Sequence, residues 1–327
     1  MIYPWQSAAW QQISSHWQQQ AHAWLLHGRQ GTGKLVFAQY LAQAMLCEQP
    51  QANHQPCGQC ASCHLFAQKN HPDYCELQPE TADDTSARKL LQIKVDAVRT
   101  VLDFAHLSSH RGGRRVVLIY PAESMNLQAA NALLKILEEP PPQVTFLLVS
   151  HNKDKLLPTI KSRCRALVLP APAFEEALQF LRQNGRENAA DLLAFHGGAP
   201  LFDEQPEQDV LRQELLDLLV SPRLLAILDY AGRFDKQKLP LSVLMDWLQK
   251  WLTDMSLSQQ NMAALYYPSR QNELNNLTQR IRASLIFDLQ DKLISLAPYG
   301  QHTLSVKMQA ESLLIDYLTL WQHKTKE

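Results

Sequence analysis

The stretch Gly28-Arg29-Gln30-Gly31-Thr32-Gly33-Lys34 decides the fold of this chain, because glycines and a lysine at this spacing are typical of a phosphate-binding loop. Such a loop joins a buried strand to a helix. Residues 23–27 are a short apolar run that fits the strand, and apolar residues recur at helical spacing after the loop. A glycine turn that merely fits the strand-to-helix junction is the alternative interpretation. The residues expected to hold phosphate are Gly28, Gly31, Gly33 and Lys34.

The loop lacks the neighbours that ATP hydrolysis requires. A hydrolysing site needs a Ser or Thr directly after the lysine to bind Mg²⁺, and an acid at the end of a second buried strand. Here Leu35 follows the lysine, and the apolar stretch at residues 116–119 runs into Tyr120 and Pro121. Glu123 lies beyond the strand exit and is interpreted as a solvated or helix-capping carboxylate. We therefore expect no ATP hydrolysis by this chain, whereas weak ATP binding at the loop stays open.

Four of the six cysteines are concentrated in residues 47–63. Paired Cys-x-x-Cys turns bring thiolates close enough to share one tetrahedral ion, and in a reducing compartment such clustering favours a metal over disulfides. Four sulfurs would fill the coordination shell, so the predicted site is structural. The alternatives are thiols without a metal, or replacement of one sulfur by a histidine (His54, His64 or His71). The predicted zinc ligands are Cys47, Cys57, Cys60 and Cys63.

Size and charge limit the class of protein. The 327 residues exceed one ordinary domain, and 31 Lys and Arg against 32 Asp and Glu give a net charge of −1. This balance argues against a protein that binds nucleic acid tightly by itself. The start of the sequence has no export signal, and no apolar run is long enough for a membrane span. We therefore expect a cytoplasmic location and no membrane partner.

The two halves of the chain differ in pattern. The first half alternates strand-like and helical segments, which favours a parallel sheet with crossover helices. Predicted helices cover residues 5–20, 96–106 and 127–137, and predicted strands cover 23–27, 116–120 and 144–150. A stiff Pro-Ala-Pro-Ala connector at 170–173 precedes a small helical unit, and a polar joint at 204–208 follows it. The remainder is helical nearly throughout.

Two further stretches complete a recognisable combination. Residues 131–141 read Asn-Ala-Leu-Leu-Lys-Ile-Leu-Glu-Glu-Pro-Pro, and residues 159–165 read Thr-Ile-Lys-Ser-Arg-Cys-Arg. Together with the four cysteines and the defective loop, they resemble the bacterial clamp-loader branch of the AAA+ proteins. The resemblance implies an α/β RecA-like AAA+ domain with a parallel sheet at 1–169, which contains the zinc module. It further implies a small helical lid domain at 170–207 and an all-α collar domain at 208–327.

The resemblance also implies partners and a role for one arginine. Family members assemble as a heteropentamer with gamma/tau-like ATPase subunits and a delta-like subunit that opens the clamp, and the assembly acts on the sliding clamp and primed DNA. In that family the arginine of the Ser-Arg-Cys motif acts on ATP held by the neighbouring subunit, and here it is Arg163. The alternative is a surface arginine, beside Lys161 and Arg165, that is solvated or touches DNA phosphate.

One departure from the family pattern bears on the chain's own nucleotide. ATP-binding members carry a lid arginine after Gly-Ser-Leu, whereas residues 198–201 here read Gly-Ala-Pro-Leu. The favoured function is a non-catalytic subunit of the polymerase III holoenzyme's clamp loader that supplies an arginine finger in trans. The rivals are an active DNA-stimulated ATPase of the same fold and a zinc-dependent DNA-binding module that works alone.

Overall fold

The computed structural model describes residues 2–79, 92–111, 113–186, 188–203, 205–296 and 305–321. These residues divide into two compact units. Within the described residues, the first unit takes those up to 177 together with 199–201, and the second takes 178–198 and those from 202 onward. The predicted boundaries at 169 and 207 stay predictions, and Glu204 of the predicted second joint lies outside the described residues.

The first unit is built on a five-stranded parallel sheet. Its strands are β1 (Ala23–His27), β2 (Tyr74–Leu77), β3 (Arg115–Ile119), β4 (Val144–Ser150) and β5 (Arg165–Val168). They lie in the order β2-β3-β4-β1-β5, and every neighbouring pair is parallel. Strands β3 and β4 are buried along their whole length, which explains their continuous apolar sequences. The predicted α/β domain with a parallel sheet is confirmed.

Helices cover both faces of this sheet. Alternate strand residues such as Leu25 and Phe146 pack on one side with α4 (Val95–His106) and α5 (Leu127–Glu138), whereas Trp24 and Leu147 pack on the other with α1 (Ser7–Ser14) and α2 (Lys34–Leu46). The helices of this part of the chain are α1 (Ser7–Ser14), α2 (Lys34–Leu46), α3 (Ala61–Ala67), α4 (Val95–His106), α5 (Leu127–Glu138), α6 (Pro158–Lys161) and α7 (Phe174–Gln183).

The second unit is helical throughout its described residues. Its core is one continuous apolar cluster in which Trp251 and Tyr317 are fully buried and joined by a 3.0 Å hydrogen bond from the indole Nε1 to the phenol oxygen. The helices are α8 (Ala189–Phe195), α9 (Pro206–Val220), α10 (Leu224–Lys236), α11 (Leu241–Gln259), α12 (Gln271–Thr278), α13 (Ala283–Leu296) and α14 (Val306–Thr319). Among the described helices of the whole chain, none combines the length and apolar character that a membrane crossing needs.

The predicted single helix at residues 5–20 is wrong. The structure has a 3₁₀ turn at Pro4–Gln6, then α1, then a second 3₁₀ turn at Trp17–Gln19. At the end of α1 the hydroxyl of Ser14 and the N–H of Ser15 both donate to the carbonyl of Gln11. Strands β2 and β5 were not predicted from the sequence, because Glu76 interrupts the apolar residues of β2 and the apolar run within β5 is only three residues long.

Candidate functional site

The glycine loop follows β1 and opens α2, as the motif requires. Gly31 (φ 73°) and Gly33 (φ 82°) adopt left-handed backbone conformations, and Gly33 is the N-cap residue of α2. A Cβ atom on Gly31 would lie 2.6 Å from the carbonyl oxygen of Leu201. Glycine at this position is therefore demanded by both the backbone conformation and the available space.

The loop is braced by the first turn of the chain. The indole Nε1 of Trp5 donates to the carbonyl of Thr32 at 3.0 Å, and the Gln6 amide donates to the carbonyls of Thr32 and Gly33 at 3.0 and 2.9 Å. A Cβ atom on Gly33 would lie 2.5 Å from two carbons of the Tyr3 ring, so the ring occupies the space that a side chain would need. No local sequence signal predicted these contacts, since the partners lie 26 or 27 residues apart.

Lys34 is turned into its own loop. Its side chain is buried, with the residue only 2% exposed, and Nζ donates to the carbonyl of Arg29 at 2.5 Å. Burial lowers the pKa of Lys34 to about 8, and the nearby carboxylate of Glu123 opposes this shift. One of the three N–H donors of the ammonium is thus used within the loop itself.

Tyr120 follows β3 directly, and Glu123 lies three residues further along the chain. Tyr120 contacts the His151 ring edge to face, with the centroids 5.4 Å apart. The Glu123 carboxylate accepts the backbone N–H groups of His151 and Asn152 at 2.8 and 3.2 Å. Glu123 is thus half-buried and braces the segment after β4, which differs from the solvated or capping carboxylate expected from the sequence.

The four predicted cysteine ligands meet at one point. Their sulfur atoms all lie within 4.8 Å of one another, and the Cys47–Cys60 and Cys57–Cys63 sulfurs are each 3.9 Å apart. A zinc–sulfur bond of about 2.3 Å places the sulfurs of a tetrahedral site about 3.8 Å apart, so the cluster has the dimensions of a closed four-thiolate site.

Backbone N–H groups surround these sulfurs. Those of Gln59 and Cys60 donate to Cys57 at 3.4 and 3.3 Å and lower its pKa to about 6. Burial is the largest effect on Cys60 and acts to raise its pKa, but the backbone N–H groups of Cys63 and Glu48 and the side chain of Cys63 together outweigh it, and the pKa falls. Burial raises the pKa of Cys47 and of Cys63. The cluster therefore stabilises some thiolates in advance, while the others need a cation to deprotonate.

Two of the three candidate histidines are engaged elsewhere, and the group of potential metal ligands found among the described residues contains cysteines alone. His71 bonds the hydroxyl of Ser62 at 2.8 Å and accepts the N–H of Asp73 at 3.1 Å. The Ser62 hydroxyl in turn donates to the carbonyl of Leu46 at 2.6 Å. His54 stacks on the indole of Trp17. The Ser62–His71 contact links the cysteine module, residues 47–63, to the segment that precedes β2.

Arg163 lies just after α6 with a partly exposed side chain, 31% of which is accessible. Its Nη1 donates to the Thr159 carbonyl at 2.9 Å and to the Ser162 hydroxyl at 3.4 Å. Its Nη2 forms an ion pair with Glu138, the last residue of α5. The sequence motif identified the arginine but gave no signal for this acidic partner.

Arg163 and the glycine loop lie at opposite ends of the parallel strands. Strands β1 and β5 are parallel, with Trp24 beside Arg165 and His27 beside Val168. The loop begins after His27, at the carboxyl ends of the strands, whereas Arg163 precedes Arg165, at their amino ends. Five residues of strand span about 16 Å, so Arg163 is remote from the chain's own loop.

Comparison with known proteins gives a consistent family. A family model described as "DNA polymerase III, delta subunit" matches residues 5–173. DNA polymerase III subunit delta' of Pseudomonas aeruginosa is 39% identical over 257 residues, which covers 76% of this chain and 76% of the relative. The subunit of the same name from Haemophilus influenzae is 33% identical and covers 77% and 76%.

A third relative extends the match to nearly the whole chain. DNA polymerase III subunit delta' of Yersinia pestis is 31% identical, with 98% of this chain and 95% of the relative covered. The match thus includes the sheet, the cysteine module and the helical second unit. On the family model and these relatives, the chain belongs to the DNA polymerase III delta' family of clamp-loader subunits.

Proposed function

We propose that this chain is a non-catalytic member of the clamp loader and supplies Arg163 in trans to ATP bound by a neighbouring ATPase subunit. The observation that carries the proposal is the separation of Arg163 from the chain's own glycine loop by the length of the sheet. An arginine at that end of the strands serves a phosphate held by another subunit, where it neutralises charge that develops in the transition state.

The state of the glycine loop supports the non-catalytic part of this proposal. Leu35 offers no hydroxyl for a metal, and the buried Lys34 side chain donates to the carbonyl of Arg29. The Tyr3 ring and Leu201 lie against the loop glycines. The loop then has a structural role, as a rigid joint between β1, α2 and the start of the chain.

The proposed partners are those of a clamp loader. They are gamma/tau-like ATPase subunits and a delta-like subunit in a heteropentamer, with the sliding clamp and primed DNA reached through the assembly. We also propose that the four cysteines hold one structural zinc ion in the cytoplasm, since their sulfur separations fit a tetrahedral four-thiolate shell.

Reconstitution with the natural ATPase subunits tests the proposal. Arg163→Ala should leave assembly intact, as judged by size-exclusion chromatography, and lower ATP turnover. At the one site that faces Arg163, the fall should be on the order of 10³-fold, which single-turnover hydrolysis would resolve. Full turnover at every site in an assembled Arg163→Ala complex would refute the proposal.

The rival function is an active ATPase of the same fold, favoured only by the preserved glycine spacing of the loop. Sustained ATP hydrolysis by the isolated chain, lost on replacement of Lys34, would establish it. We expect no turnover above the rate in buffer.

A further inference from the structure

The ion pair between Arg163 and Glu138 joins two elements that are distant in sequence. Glu138 ends α5, and Arg163 follows α6, 25 residues later. We infer that Glu138 is a positioning residue for Arg163, which holds the guanidinium in one orientation before it meets the nucleotide of the neighbouring subunit. This inference rests on the proposed role of Arg163.

The contacts of the guanidinium show why one carboxylate matters. The two Nη1 bonds go to Thr159 and Ser162, both from the turn that carries Arg163 itself. Among the described residues, the buried Nε has no hydrogen-bond partner. Among the guanidinium contacts within the described part of the chain, the ion pair of Nη2 with Glu138 is therefore the one that comes from a different helix, and it restrains the side chain from outside its own turn.

The arrangement leaves a donor for phosphate. Nη1 uses its two hydrogens on Thr159 and Ser162, whereas Nη2 carries two hydrogens and Glu138 takes one. The second Nη2 hydrogen can bind a phosphate oxygen while the ion pair is kept. An arginine side chain has large rotamer entropy, so fixing it in advance lowers the cost of placing its charge against a transition state.

Solvent limits the opposing effect of the carboxylate charge. The Glu138 side chain is 48% exposed, so its charge is screened and weakly competes with a triphosphate for the guanidinium. Glu139 offers a matched control, since it is the adjacent acid, is exposed, and forms no ion pair with any residue that the structure describes.

The experiment compares three variants in the reconstituted complex. Glu138→Ala should lower kcat about 10-fold to 10²-fold at the site served by Arg163, with KM for ATP little changed, because a misplaced catalytic group costs turnover. Glu138→Gln should retain most of the turnover, since its amide oxygen still accepts from Nη2. Glu139→Ala should behave as wild type.

A second readout does not depend on turnover. In the free chain, ¹⁵N–¹H NMR should show the Arg163 guanidinium ordered in wild type and in Glu138→Gln, and mobile in Glu138→Ala. Wild-type kcat or an equally ordered guanidinium in Glu138→Ala would overturn the inference, and so would a further loss of kcat when Glu138→Ala is added to Arg163→Ala. If Arg163→Ala itself changed nothing, the proposed function would fail first and this inference with it.

Discussion

Burial sets the behaviour of single residues in this chain, and Lys34 is the clearest case. A phosphate-loop lysine is expected to carry a charge ready for a ligand, yet this side chain is enclosed and bonded to Arg29. The residue type was readable from the sequence. The acceptor of its hydrogen bond, the backbone carbonyl of Arg29, was not, because it is set by the conformation of the loop, which is also bonded to Trp5 and Gln6.

The free energy of unfolding should depend on pH through the imidazole of His196. Burial first, and then the charges of Lys250 and Arg212, lower the pKa of His196 from 6.5 to about 4. The unfolded chain thus binds more protons between about pH 4 and 6.5, and stability rises with pH there. The contribution should be complete above pH 6.5 and lost progressively as the pH falls towards 4.

Two measurements check this dependence. NMR should show the His196 ring neutral at pH 6, and in His196→Phe the free energy of unfolding in urea should fall less between pH 7 and 5 than in wild type. The Phe ring preserves the stacking on Phe202 without a titrating group. An imidazole that titrates near 6.5 in the folded chain would contradict the expectation.

The cysteine cluster should bind about one zinc ion per chain by elemental analysis, because four thiolates complete one tetrahedral shell. Joint replacement of Cys60 and Cys63 by serine should abolish binding and lower Tm. Cys75→Ala is the matched control, since this cysteine lies outside the cluster and should leave the zinc content unchanged. If the wild-type protein as purified contained no zinc and was nevertheless fully folded, the proposed zinc site would be refuted.

Among the elements, the strand–loop–helix unit was the most predictable from the sequence. Residues 23–27 and the helix after Lys34 match β1 and α2, because a buried strand and a glycine loop leave strong local signals. The apolar runs of β3 and β4 were equally clear. The predicted helix at residues 5–20 was wrong at both ends, since only residues 7–14 are α-helical, and at its start Trp5 and Gln6 are bonded to a loop more than twenty positions away.

Replacement of two glycines by alanine, one in the loop and one in a helix, distinguishes backbone strain in the loop from ordinary helix propensity. Gly31→Ala should destabilise the chain by about 1–3 kcal/mol or more, because a left-handed φ and the Leu201 carbonyl both oppose a Cβ atom. Gly232→Ala, inside α10 with open space around the new atom, should stabilise it by about 0.5–1 kcal/mol. Urea denaturation measures both, and equal effects of the two substitutions would contradict the packing described for the loop.

At the scale of the whole molecule, the family was predictable because several independent motifs coincide. Taken alone, the glycine loop, the four cysteines and the Ser-Arg-Cys segment could each have an explanation that involves no specific function. What the sequence could not supply was the geometry between them: the parallel order of β1 and β5 places Arg163 and the loop at opposite ends of the strands. Long-range pairing of this kind leaves no periodic signal in the sequence.

The most direct test of the central claim is the ATP turnover of the reconstituted clamp loader with Arg163→Ala and Lys34→Met compared in parallel. The account predicts that Arg163→Ala suppresses hydrolysis at the neighbouring site, whereas Lys34→Met, which keeps the length of the side chain, leaves turnover at the wild-type rate. The opposite outcome, with turnover lost in Lys34→Met and kept in Arg163→Ala, would show that this chain hydrolyses its own nucleotide.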